Sequence, residues 1–81
     1  NYLSVYPNPV KNILKIDQKQ QLNAVIEYSI VNVLGMQVKK GVINNSVSNT
    51  LDFSGFENGV YFLILRSNET EQKVIKIKKI D

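Results

Sequence analysis

Residues 57–67 read Glu57-Asn58-Gly59-Val60-Tyr61-Phe62-Leu63-Ile64-Leu65-Arg66-Ser67, a turn followed by an extended apolar run. From Val60 onward both alternating faces are apolar, with Val60, Phe62 and Ile64 against Tyr61, Leu63 and Leu65. A strand with period two and two apolar faces belongs at the centre of a sheet, not at its edge. Asn58-Gly59 opens the run and Ser67-Asn68-Glu69-Thr70 closes it, both with turn-forming residues. The chain is therefore built around a buried β-strand.

Working outward, the same period recurs. Leu3 and Val5 alternate with Tyr2, Ser4 and Tyr6, and Pro7-Asn8-Pro9 stops that strand because proline donates no ladder hydrogen bond. A second strand is expected over 12–17, with Leu14 and Ile16 on one face, and residues 18–23 read as a polar loop. A third runs over 24–33, where Ile26, Tyr28 and Ile30 share a face. Asn32-Val33-Leu34-Gly35 is a turn: Asn32 accepts a local backbone bond and Gly35 supplies positive φ. Its hairpin partner spans 36–43, and Asn44-Asn45-Ser46 turns again. Leu51 and Phe53 mark a fifth strand, Ser54–Gly59 a Gly- and Asn-rich corner, and 72–80 the last strand. Short strands at near-regular spacing with tight turns predict an all-β, seven-stranded immunoglobulin-like antiparallel β-sandwich, a single domain over 1–81.

At 81 residues the chain holds one domain, and such a chain buries only about 60% of its unfolded surface. Cysteine and histidine are both absent, so no disulfide, thiolate metal site or Cys nucleophile is available, and the fold must hold by packing alone. The net charge of +3 concentrates in Lys73, Lys76, Lys78 and Lys79. These alternate with Val74, Ile75, Ile77 and Ile80, as on the solvated face of a lysine-guarded edge strand, and this reading is preferred to nucleic-acid binding. No window reaches the about 18 apolar residues of a membrane helix, and the N-terminal residues are not a signal peptide. The chain opens directly in a strand, as a piece of a longer polypeptide does.

The acids Asp17, Glu27, Asp52, Glu57, Glu69, Glu71 and Asp81 stand singly, without the paired spacing of a glycosidase or the clustering of a calcium site. No serine has a histidine partner, and the glycines never combine into a phosphate loop. No catalytic, cofactor or metal residue is assigned. Asn44-Asn45-Ser46 and Asn68-Glu69-Thr70 match glycosylation acceptors, a short and common pattern of little weight. Tyr2, Tyr6, Tyr28 and Tyr61 would form a sugar platform only if exposed together; core and interface packing is expected for at least two. Glu57-Asn58-Gly59-Val60-Tyr61 suggests a tyrosine tucked inward with its hydroxyl bonded back to the preceding corner, Gly59 giving the tight backbone. A simple turn with Tyr61 merely packed is the other reading.

Three features occur in one order: Tyr6-Pro7-Asn8-Pro9-Val10; Val33-Leu34-Gly35-Met36-Gln37-Val38; and residues 51–63 followed by Lys73-Val74-Ile75-Lys76. Together, over nearly the whole chain, they resemble the type A C-terminal sorting domain of the type IX (Por) secretion system of Bacteroidetes. By that resemblance Pro7, Asn8 and Pro9 match the entry motif, Gly35 and Val38 the central hairpin, Gly59 and Tyr61 the Gly-x-Tyr, and Lys73 and Lys76 the terminal lysines. Lys78 extends the same basic strand. Asn32 stands where many relatives carry Asp, and either side chain serves the turn.

The resemblance implies a non-catalytic address. A cargo domain on the N-terminal side reaches the periplasm by a signal peptide, the folded tag is bound by an outer-membrane translocon, and a sortase-like peptidase removes it. The cargo is then secreted or held on the cell surface. The last hairpin, with its lysine-bearing edge, is the expected recognition surface, open to strand addition by a partner. No nucleic acid, small-molecule substrate or cofactor is implied. An immunoglobulin-like adhesive or carbohydrate-binding module is the alternative, with a structural spacer or an enzyme fragment behind it.

Overall fold

The computed structural model describes residues 3–18, 26–43, 48–67 and 71–81. Seven strands follow in order: β1 (Leu3–Tyr6), β2 (Ile13–Gln18), β3 (Ile26–Asn32), β4 (Gln37–Ile43), β5 (Ser48–Asp52), β6 (Gly59–Ser67) and β7 (Glu71–Lys79). They form a three-stranded sheet, β1-β2-β5, and a four-stranded sheet, β4-β3-β6-β7, with every strand pair antiparallel. The seven-stranded all-β sandwich expected of the alternation is the architecture found. The Gln18–Asn23 loop beyond Gln18, the Asn44-Asn45-Ser46 turn and the Asn68-Glu69-Thr70 turn lie outside the described residues, as does Tyr2. Gln18 itself closes β2 as a buried residue.

β6 sits between β3 and β7, as its two apolar faces demand. Tyr61, Leu63 and Leu65 point inward and are buried, while Val60, Phe62 and Ile64 are half-buried on the outer face. The core joins both sheets in one cluster: Leu14, Ile16 and Leu51 from one, Ile26, Ile30, Leu63 and Ile77 from the other, together with Phe53 and Val10. Burying each such aliphatic side chain is worth about 1.5–3 kcal/mol, which lets this short chain fold without a covalent staple.

The β5–β6 corner carries the chain from one sheet to the other, and its aromatic side chains make it stiff. Phe53 and Phe56 meet edge to face with centroids 4.9 Å apart, and Phe56 lies 5.2 Å from Tyr61. Phe53 N–H donates to the Asn12 carbonyl at 2.7 Å, extending the β2–β5 ladder beyond β5. Asp52 accepts a bond from Ser54 N–H at 2.8 Å. The Ser54 hydroxyl and N–H together hold the Asp52 carboxyl below the usual range.

β7 is an edge strand, but its edge is only partly open. Val10 forms a parallel bridge with Lys79. Val10 N–H donates to the Lys78 carbonyl at 2.8 Å, and Ile80 N–H donates to the Val10 carbonyl at 3.0 Å. The expectation of a freely available lysine edge is corrected accordingly: its C-terminal half is already paired within the chain. By the parity of those bonds, backbone groups of Gln72 and Val74 face the part of the edge left uncovered.

Candidate functional site

The three motifs quoted from the sequence converge at one end of the sandwich. Register places Asn32, Tyr61 and Ile77 side by side across β3, β6 and β7, and Gly59 opposite Lys79. The β3–β4 turn, the Gly59 corner, the Pro7–Pro9 entry and the end of β7 therefore share that end.

Pro7 and Pro9 each follow a cis peptide bond, and both are exposed. With no N–H at either proline, the entry segment cannot build a regular ladder. Asn8 substitutes with its side chain: Nδ2 donates to the Lys76 carbonyl at 2.8 Å, and Oδ1 accepts from Lys78 N–H at 3.0 Å. One carboxamide thus imitates a strand residue against β7, and Val10 continues the pairing. The entry motif and the terminal lysine motif form a single structural unit, although 68 residues separate Asn8 from Lys76.

Asn32 and Gly35 do what their types require. Asn32 Oδ1 accepts from both Leu34 N–H and Met36 N–H at 3.0 Å, and Gly35 adopts φ +83°. Val38 sits beyond the turn where the β3–β4 register shifts at Ile30/Val31, and it is exposed. At the neighbouring corner of that end Gly59 takes φ +153°, a backbone conformation side chains rarely adopt. Tyr61 is buried, and its hydroxyl donates to the Glu57 carbonyl at 2.7 Å. The inward anchor is the reading that holds.

The lysines of β7 divide by parity. Lys76 and Lys78 are exposed on the outer face, opposite Phe62 and Val60. Lys73 is half-buried on the inner side, and Lys79 is fully buried with Nζ 2.7 Å from the Asp81 carboxylate. That contact holds the Asp81 carboxyl below its usual range. The expected single solvated lysine face is thus corrected: of these four, only Lys76 and Lys78 lie on it. Alternation already pairs Lys73 and Lys79 with Ile75 and Ile77, so the signal was present in the sequence.

The tyrosines do not assemble into a platform among the described residues. Tyr6 is exposed on the outer face of the three-stranded sheet, its hydroxyl donating to the Asp17 carboxylate, whereas Tyr28 packs against the core. That hydrogen bond, with lesser contributions from desolvation and the Asp17 charge, raises the Tyr6 hydroxyl above its ordinary value. Sequence reasoning assigned Gly41 no role; the Tyr28 ring lies over it, so close that a Cβ there would stand 2.8 Å from the ring.

Compared with known families, residues 4–79 match the secretion system C-terminal sorting domain. The chain belongs to that family. Among curated proteins no match is found. Family membership makes the domain a sorting signal for type IX secretion, which directs proteins to the cell surface or out of the cell. The resemblance read from the Pro-Asn-Pro, Leu-Gly and Gly-x-Tyr motifs is the family found.

Proposed function

We propose that this sorting domain is an inert folded handle, read by an outer-membrane translocon through the end of the sandwich where its motifs meet. Its cargo lies on the N-terminal side and reaches the periplasm first by a conventional signal peptide. A sortase-like peptidase then removes the handle, and the cargo is released or attached at the surface. The domain itself performs no catalysis and takes no cofactor.

What supports the reading is the convergence itself. Pro7, Asn8, Pro9, Gly35, Gly59 and Tyr61 each have a definable structural task, and those tasks fix the shape of one end. A shape specified by backbone hydrogen bonds and positive-φ glycines is independent of whatever cargo precedes it. Lys76 and Lys78, exposed beside it, supply charge for recognition, while Lys73 contributes from the inner side.

The test is a secreted reporter fused to the chain in a bacterium with a type IX system. Replacing Lys76 and Lys78 with serine should reduce export while the melting temperature of the purified fusion stays unchanged. Undiminished export of that variant would remove the lysines from the recognition surface.

A further inference from the structure

We infer that the β3–β4 hairpin tip is a docking plug that enters an apolar, carboxylate-rimmed pocket on a protein partner. This rests on the proposed reading that the folded domain is bound during export, and it adds where and by what chemistry. Val33, Leu34, Met36 and Val38 are between 41% and 79% exposed, although they stand on and beside a tight turn. Turns are ordinarily polar, and an apolar cluster exposed at a hairpin tip marks an interaction site.

The fold does not require these side chains. The turn is set by two bonds accepted by the Asn32 side chain, two backbone bonds (Asn32 N–H to the Met36 carbonyl and Gly35 N–H to the Asn32 carbonyl) and the positive φ of Gly35, none of which uses an apolar side chain. Beside the turn, Ser29 Oγ donates to Gln37 Oε1 at 3.1 Å, a side-chain link across the same two strands. Positions 33, 34 and 36 touch none of this with their side chains, so their apolar character serves something outside the molecule.

Charge selects the occupant. Among the described residues, the outer face nearest the tip carries Lys40, Lys76 and Lys78, whereas Arg66 and the single outer-face carboxylate, Glu27, stand opposite each other at the far end of the sheet. Lys76 lies two strands from Val31, about 10 Å across the sheet. A pocket receiving the tip therefore meets cations at its rim, and carboxylates there complement them. A second copy of the chain fits poorly. Its own outer-face groove, of about 400 Å³, is lined by Lys40 and Arg66 with Glu27 as the one carboxylate, so it would set a net positive lining against the lysines beside the tip. The tip carries no Trp or Tyr of the kind that anchors a lipid interface, which favours a protein pocket over a bilayer.

The experiment uses the full chain fused to a reporter, with Leu34→Asn and Met36→Gln, which leave Asn32 and Gly35 in place. Export should fall by about tenfold for each apolar side chain replaced, with the melting temperature unchanged. Lys78→Glu should export less than Lys78→Ser. Normal export of the tip variants, with the fusion lacking the chain retained in the cell, would refute the plug and spare the export tag. Export of the fusion lacking the chain would refute both. Tip-dependent binding of the purified chain to phosphatidylglycerol vesicles would assign the tip to lipid, and tip-dependent dimerisation in sedimentation would assign it to a second copy; either overturns the proposal. Equal export of the two Lys78 variants would overturn the carboxylate rim.

Discussion

At Tyr61 one phenolic hydroxyl ties the entry of the central strand to the corner before it, 2.7 Å from the Glu57 carbonyl. Tyr61→Phe keeps the ring packing with Phe53 and Phe56 and removes only that bond. The expected loss is about 1–2 kcal/mol, measured by urea denaturation, because a part-buried carbonyl is left without its donor. A variant as stable as the parent would show that packing alone holds the corner. Gly59 was legible for its turn, and its φ of +153° explains why no side chain stands there. Titration behaves differently. The Asp52 and Asp81 carboxyls are held low, so their contributions are complete above the ordinary carboxylate value and vanish as pH falls through the lowered one. Tyr6 is held high, so its contribution is present below the ordinary phenol value and vanishes as pH rises through the raised one. With no histidine in the chain, the melting temperature should stay nearly flat between about pH 5 and 9 and decline outside that range. A pronounced transition near neutrality in circular-dichroism melts would contradict this.

At the scale of the strand, what matters is how each edge is closed. The entry segment closes half of β7 through the Asn8 carboxamide and the Val10 backbone. Asn8→Ala removes two bonds at once, and Lys78 N–H should then exchange with solvent at least about tenfold faster, with a stability loss of about 1–3 kcal/mol. Protection at Lys78 equal to that of the parent would mean Val10 alone secures the edge. No local signal predicted this pairing. A Pro-Asn-Pro string announces a stop, whereas its partner sits at the far end of the chain. β4 shows a second device: the Tyr28 ring covers Gly41 and fills the side-chain gap on an edge strand. Gly41→Ala and Tyr28→Ala should each destabilise, and together by less than their sum, since alanine at 41 is strained only while the ring is there. Strictly additive losses in a double-mutant cycle would sink that coupling. The Tyr28↔Gly41 register that creates it emerges only once strands are paired, which is why composition gave no hint of it.

Across the whole molecule, alternation made the sheets legible, because an apolar residue on the wrong face of a strand is penalised wherever it occurs. The same alternation divides Lys73 and Lys79 from Lys76 and Lys78, and grouping them as one basic stretch concealed it. The exposed tip was not legible, since Val33, Leu34 and Met36 look like any other apolar residues until the fold is seen to leave them in solvent. β7 combines both lessons, a strand that is basic outside and part of the core inside. Removing residues 72–81 is an obvious way to ask whether the last strand is a recognition element, yet it also removes buried Ile77 and half-buried Ile75. It uncovers β6 from Gly59 to Arg66 and frees the Asn8 side chain as well. Two aliphatic side chains contribute about 3–6 kcal/mol, comparable to the about 4–12 kcal/mol that holds a domain of this size together. The shortened chain should therefore lose its cooperative thermal transition and aggregate through the bared β6 edge, as seen by circular dichroism and light scattering. Its failure to be exported would then report unfolding, not lost recognition. If instead it melted cooperatively within a few degrees of the parent, β7 would be an accessory to the fold, and a truncation that blocked export would identify the strand itself as what the machinery reads.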